Sequence, residues 1–234
     1  MVPLNRALSK LGILSRTQAT AAIRAGRVRV DGRIEHDPLK PVVPERARIA
    51  VDGEPAAKAA WRTIAFHKPR GVVTTKRDPQ GRTTVFDVLG EAGRGLVAVG
   101  RLDLATSGLL ILTSDTQLAN RLTDPANAIP RVYAVTVRGE VTSADVVMLT
   151  AGVMSRGDRL RASAATLRKA SRRESHLTIE LREGKNREVR RLLDAIGREV
   201  VRLKRVAFGG LEIDGLEPGE WRELTRADVR RFFG

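Results

Sequence analysis

The sequence predicts an α+β chain in two parts. A small N-terminal unit of two helices and a β-hairpin precedes a larger domain with a mostly antiparallel mixed sheet flanked by helices. Three observations lead there. Residues 4–34 pass from a helical apolar stripe to period-two alternation around a tight turn. Residues 54–60, Glu-Pro-Ala-Ala-Lys-Ala-Ala, lose apolar periodicity and read as a linker, which sets the two parts at 1–53 and 61–234. Beyond Trp61, many short apolar runs mix with a few helical stripes and do not alternate as parallel βαβ units would.

In the first part, Leu4, Ala7, Leu8 and Leu11 fall on one face of a short helix that Gly12 ends. Ser15 with Gln18 is a capping box for a second helix reaching about Ala25, where Gly26 suits the C-terminal cap. Val28 and Val30 alternate with Arg27 and Arg29, Asp31-Gly32 marks a turn, and Arg33-Ile34 begins the return strand. Arg16, Arg24, Arg27 and Arg29 give this unit a basic face.

In the second part, strands are expected at 63–66, 72–75, 96–99, 109–113, 131–137, 176–181 and 200–206, with more between 211 and 224. Thr84 with Asp87 caps a short helix whose Val85, Val88 and Leu89 should face inward. Further helices are expected from Ser114 or Asp115 to Leu122, over 143–150, from an Asn186 cap to Gly197, and from Thr225 with Asp228 to Phe233. Arg168 to Arg173 reads as a basic loop.

Composition narrows the partners. The chain has 234 residues and a net charge of +15, a field that attracts phosphate polymers and so points to nucleic acid. No apolar run approaches the ~20 residues of a membrane span, and Met1 to Arg6 lacks the apolar core of a signal peptide. Without cysteine there is no disulfide or thiolate site, and His36, His67 and His176 are scattered, so no metal site is expected. The cytoplasm is the expected compartment. No phosphate-loop or dinucleotide fingerprint is present.

Asp103 is the acid that stands out. It lies in a connector between the runs 96–99 and 109–113, with Gly100 and Gly108 at its ends, where glycine permits unusual backbone angles and close approach. An isolated Asp in a turn is ordinary; its companions single it out. Lys68-Pro69-Arg70-Gly71 either holds a phosphate or is a turn. Tyr133 is the one tyrosine in a chain of 3% aromatic content, which suits handling of a single base better than an extended stacking platform, or it packs in the core. Arg187, Arg190 and Arg191 lie off the apolar stripe of the helix entered at Asn186, and an arginine-bearing helix start beside a glycine turn suits a phosphate or carboxylate ligand.

Two stretches resemble known families. Leu4-Asn5-Arg6-Ala7-Leu8 through Ser15-Arg16, then Ile23 to Gly32, resemble an S-four-type RNA-binding domain. Lys68 to Thr75, Gly100-Arg101-Leu102-Asp103 with Thr106-Ser107-Gly108-Leu109-Leu110, Arg131-Val132-Tyr133-Ala134-Val135, and Glu183 to Leu192 together resemble the RsuA/RluB-type pseudouridine synthases, in the family's order and approximate spacing. Ala98 stands where proline is common, His67 where asparagine is usual and Thr116 where glycine is usual. The resemblance implies an enzyme that isomerises a ribosomal RNA uridine to pseudouridine without a cofactor. Asp103 would be the nucleophile at ribose C1′ or uracil C6, Arg190 its cationic partner, and Tyr133 the stacking ring and an aid to C5 proton removal. Arg101 would contact RNA or fill the space left by the flipped base. Lys68, Arg70, Lys185, Arg187 and the arginines of the first unit would contact RNA. The form of residues 186–191 looks more like members acting on large-subunit RNA. The substrate would be ribosomal RNA or an assembly intermediate, with no membrane and no obligate protein partner. Two rivals remain at this stage. One is a non-catalytic RNA-binding or assembly factor, which needs no Asp103. The other is a carboxylate hydrolase, which needs a second acid such as Asp87 or Asp115.

Overall fold

A computed structural model describes residues 1–44, 46–56 and 60–234. The chain divides into two compact units. The first is Met1–Arg62 with the short pieces Gly95–Val97 and Thr113–Gln117; the second is the remainder.

The first unit runs β1 (Val2–Pro3), α1 (Leu4–Lys10), α2 (Arg16–Arg24), β2 (Val28–Val30), β3 (Arg33–Ile34), β4 (Pro41–Val42), β5 (Ile49–Val51) and β6 (Glu54–Pro55). Ser15 caps α2 as expected: its hydroxyl accepts from the Gln18 amide at 3.2 Å, and the Gln18 side chain accepts from the Ser15 amide at 3.0 Å. Leu4, Ala7 and Leu8 of α1 bury against Ala19, Ala22 and Ile23 of α2 and the inward valines of β2. The strands order β3-β2-β5-β6, and β1 pairs with β4. The stretch read as a linker opens differently. Asp52 and Gly53 both take positive φ, turning the chain so that Glu54–Pro55 pairs antiparallel with β5. Ala57, Lys58 and Ala59 of that stretch lie outside the described residues.

The second unit is built on a nine-stranded mixed sheet. Its strands are β7 (Thr63–Lys68), β8 (Val97–Ala98), β9 (Ser107–Thr113), β10 (Arg131–Arg138), β13 (Ala164–Lys169), β14 (Glu174–Leu181), β15 (Val200–Phe208), β16 (Leu211–Glu212) and β17 (Trp221–Glu223). The main order is β13-β14-β10-β15-β9-β7-β17. β10 is antiparallel to both β14 and β15, whereas β15 runs parallel to β9. The helices are α3 (Val85–Leu89), α4 (Thr116–Thr123), α5 (Ser143–Ala151), α6 (Glu188–Ala195) and α7 (Arg226–Phe233), and a hairpin of β11 (Val153–Ser155) and β12 (Asp158–Leu160) follows α5. Leu109 to Leu112 are all fully buried, as a strand covered on both faces requires.

Four expectations change. Residues 72–75 form no strand: Val73 makes only an isolated bridge to Thr84, and the Thr74 hydroxyl bonds the Leu102 backbone instead of leaving its chain to a ladder. Val88 is exposed, because a five-residue helix covers too little surface to bury three apolar positions. Arg168 and Lys169 belong to β13, paired with β14. Helix α6 begins at Glu188 and not after Asn186, since Arg187 adopts a left-handed backbone and the Glu188 carboxylate accepts from the Gly184 and Lys185 amides. Among the described residues no helix is long and apolar enough to cross a membrane, and no cluster of His, Cys, Asp or Glu has the makings of a metal site.

Candidate active site

Asp103 sits in the connector before β9, and neighbouring loops brace it. The Gly71 amide donates to the Leu104 carbonyl at 2.8 Å, the Thr74 hydroxyl donates to the Leu102 carbonyl at 2.9 Å, and the Thr106 amide donates to Asp103's own carbonyl at 3.0 Å. Gly108, at φ 114°, packs onto the backbone of Arg205; a Cβ there would stand 2.2 Å from the Arg205 carbonyl oxygen. Only glycine allows β9 and β15 this approach, and the approach anchors the end of the Asp103 connector.

The connector forms one wall of a cleft of about 160 Å³. It is lined by Gly100 to Asp103, by Arg131 and Tyr133 of β10, by Leu203 and Arg205 of β15, and by Gly184, Lys185 and Arg187 to Arg190. The Asp103 carboxylate, about a third exposed, faces Arg187 Nη1 at 3.5 Å. Arg190 is close but spends its hydrogen bonds elsewhere, donating to the Ala105 carbonyl at 3.2 Å and the Val200 carbonyl at 3.3 Å. Burial lowers its pKa, with Arg187 adding to the effect and Asp103 opposing it. Arg190 thus ties the connector to α6 and leaves the direct ionic contact to Arg187. That residue holds a left-handed backbone, φ 49°, at a cost of order 1–3 kcal/mol for a side chain other than glycine.

Tyr133 is buried, 9% exposed, with its ring in the cleft. Lys68 is fully buried, its ammonium donating to the carbonyls of Pro69 at 2.9 Å and Thr106 at 2.7 Å, so it is not exposed to an RNA phosphate. Burial pushes its pKa down to about 8, against the pull of Asp103. Arg101 lines the cleft and is exposed, and Arg70 is exposed. Lys185 pairs with Glu183 at 2.6 Å. In the first unit, Arg16 and Arg24 share an exposed face of α2 with Thr17, Thr20 and Ala21. Arg27 is paired with Asp52, and Arg29 donates to the Gly32 carbonyl at 3.1 Å.

Three cleft residues escaped the sequence reading: Arg131, Arg205 and Glu188. Arg131 donates to the carbonyls of Ile129, Arg182, Glu183 and Leu122, knotting the start of β10 to the loop before α6. Its signal was present, for it shares parity with Tyr133, Val135 and Val137 on the buried face of β10. Glu188 lies in an apolar helix stripe position, and its burial raises its pKa. The chemistry this arrangement offers is nucleophilic attack by a carboxylate held among cations, beside an aromatic ring, in a cleft sized for one flat ligand.

Residues 62–195 match the family model of RNA pseudouridylate synthases, and residues 2–46 match that of the S4 domain. The ribosomal large subunit pseudouridine synthase B of Yersinia pestis is 39% identical over 233 residues, spanning 94% of this chain and 72% of that protein. Its counterpart in Shigella flexneri is 38% identical over 233 residues, spanning 97% of this chain and 80% of that protein. A crystal structure of a pseudouridylate synthase superimposes at a TM-score of 0.69 with 28% identity, covering 99% of this chain and 100% of that one. On a family match across more than half its length and relatives of this similarity over most of it, the chain belongs to the RNA pseudouridylate synthase family and carries an S4 domain at its N-terminus.

Proposed function

We propose that this enzyme isomerises a uridine of large-subunit ribosomal RNA to pseudouridine, acting in the cytoplasm on the RNA itself or on an assembly intermediate. The observation that carries the assignment of roles is the Asp103 carboxylate facing Arg187 across the cleft that also holds Tyr133. The names of the two relatives above support the choice of subunit. The target base leaves its stack and enters the cleft, at a cost of a few kcal/mol that phosphate contacts offset. Asp103 adds covalently to the nucleotide, the N1–C1′ bond breaks, and the uracil turns against the Tyr133 ring until C5 bonds to C1′, with the bond to Asp103 breaking to return the free carboxylate. The C5 hydrogen then leaves as a proton, with Tyr133 assisting, and N1 gains one. Arg190 holds the connector in place while Arg187 faces the carboxylate and meets the RNA backbone. Arg101 at the cleft, the exposed Arg70, and Arg16, Arg24 and Arg29 on the first unit supply the remaining phosphate contacts.

The test is tritium release from ribosomal RNA fragments labelled at uridine C5. Wild type should release tritium from large-subunit RNA, and Asp103→Asn should bind that RNA equally and release none. Turnover by Asp103→Asn near the wild-type rate would remove Asp103 as nucleophile. Release from small-subunit RNA alone would overturn the choice of substrate.

A further inference from the structure

Arg205 has no task in the reading above, and its surroundings are unusual for an arginine. It lies on β15 directly opposite Tyr133 of β10, where the strand register shifts. It is only 3% exposed. Its Nε donates to the Leu109 carbonyl at 2.6 Å, while its Nη2 is buried without a hydrogen-bond partner at ordinary distance. No carboxylate pairs with it among the described residues. A guanidinium cannot shed its charge to escape such a site, and a cation buried without a carboxylate is costly. Its near neighbours are the face of Phe208, with the ring centre 5.0 Å away, and the Tyr133 hydroxyl. The Gly108 contact presses β9 onto the Arg205 backbone, so the strand that ends the Asp103 connector also seats this guanidinium.

We propose that Arg205 is a positioning residue for the isomerisation: its guanidinium donates to the Tyr133 oxygen and holds that oxygen toward uracil C5 once C5 has bonded to the ribose. The inference rests on the assignment of C5 proton removal to Tyr133. In that step the phenol oxygen, having given its own proton to water, takes the C5 proton. The electron pair of the broken C5–H bond reforms the C5–C6 double bond, and N1, freed from the ribose, takes a proton from water. A donor behind the oxygen leaves its remaining lone pairs for C5; without it the hydroxyl turns freely.

The experiment is single-turnover and steady-state kinetics of wild type, Arg205→Gln and Arg205→Lys, each with and without Tyr133→Phe. The RNA carries protium or deuterium at C5 of the target uridine. Arg205→Gln should lower kcat about 10- to 100-fold, with KM little changed and a larger C5 isotope effect. Arg205→Lys should recover part of the rate. In the Tyr133→Phe background the Arg205→Gln loss should shrink to about 3-fold or less, because the two residues act as one unit. Equal losses with and without the Tyr133 hydroxyl, with the isotope effect unmoved, would overturn the proposal and leave Arg205 a structural residue. Failure of both Arg205 variants to fold, judged by circular dichroism and RNA affinity, would do the same. A Tyr133→Phe enzyme as fast as wild type would instead remove Tyr133 from proton removal, a separate failure seen without any change at Arg205.

Discussion

Lys68 gives the sharpest test of how charge is held beneath Asp103. Its side chain is fully buried, its ammonium serves two carbonyls, and burial brings its pKa from 10.5 to about 8. Each pH unit between those values is worth about 1.36 kcal/mol. Keeping the ammonium inside therefore costs about 3 kcal/mol at any pH below about 8. The sign follows from proton counting. Between about pH 8 and 10.5 the unfolded chain still binds a proton that the folded chain has released, so stability rises with pH through that window. Lys68→Met keeps an apolar stem and removes the charge. It also strips donors from the Pro69 and Thr106 carbonyls, a loss of about 1–3 kcal/mol each that does not depend on pH. At pH 7 the two effects offset, and the variant's stability there decides nothing. The slope decides. Urea unfolding followed by circular dichroism, at constant ionic strength from pH 7 to 10.5, should show wild type gaining about 3 kcal/mol relative to Lys68→Met. Parallel stability curves would refute the reasoning and mean that Lys68 titrates in the fold as it does in the unfolded chain.

Three further predictions rest on backbone and charge. Gly108→Ala should destabilise the fold by more than about 3 kcal/mol, since it combines a left-handed φ with a backbone clash at Arg205; a melting temperature within about 2 °C of wild type would contradict this. Arg187→Gly should be more stable than Arg187→Ala by about 1 kcal/mol, because both lose the Asp103 contact but only glycine relieves the left-handed backbone. Equal unfolding midpoints for the two would show that the backbone carries no strain. Replacing Arg16 and Arg24 by alanine should reduce the salt dependence of RNA affinity more than Arg27→Ala does, at up to ~0.7 in slope per lost single-strand contact. Arg27 is already neutralised by Asp52, so an equal effect from Arg27→Ala would mean that this pair opens on RNA.

The capped helices were legible in the sequence because their signals are local. Ser15 with Gln18, Thr84 with Asp87, and Thr225 with Asp228 each form the expected reciprocal cap. Asp103 and Tyr133 were legible by motif, and they do meet in one cleft. What escaped was whatever depended on a distant partner. Residues 72–75 have the composition of a strand, yet Thr74 is committed to Leu102. Asp52-Gly53 carries the same turn signal as Asp31-Gly32, but the small residues after it masked a second hairpin. Arg190 was the expected partner of Asp103, whereas the left-handed Arg187, which no propensity would place there, makes the contact. Arg205 looks like one more basic residue beside Arg202 and Lys204, and only the sheet shows that it points inward with Leu203.

The parallel register of β9 with β15 also orders events in time. Arg205 and Leu109 are bonded across 96 residues of sequence, and pairings of that range are slow to close because the chain entropy between them is lost first. The hydrophobic core of the first unit draws on nothing beyond Ala56. During synthesis, the basic helix–hairpin unit can be complete while β15, which lines the cleft, is still being translated. The nascent chain therefore has a surface for RNA well before it has the means to modify it, and the capacity for chemistry arrives in one step when the strand ending at Phe208 slots between two strands already made.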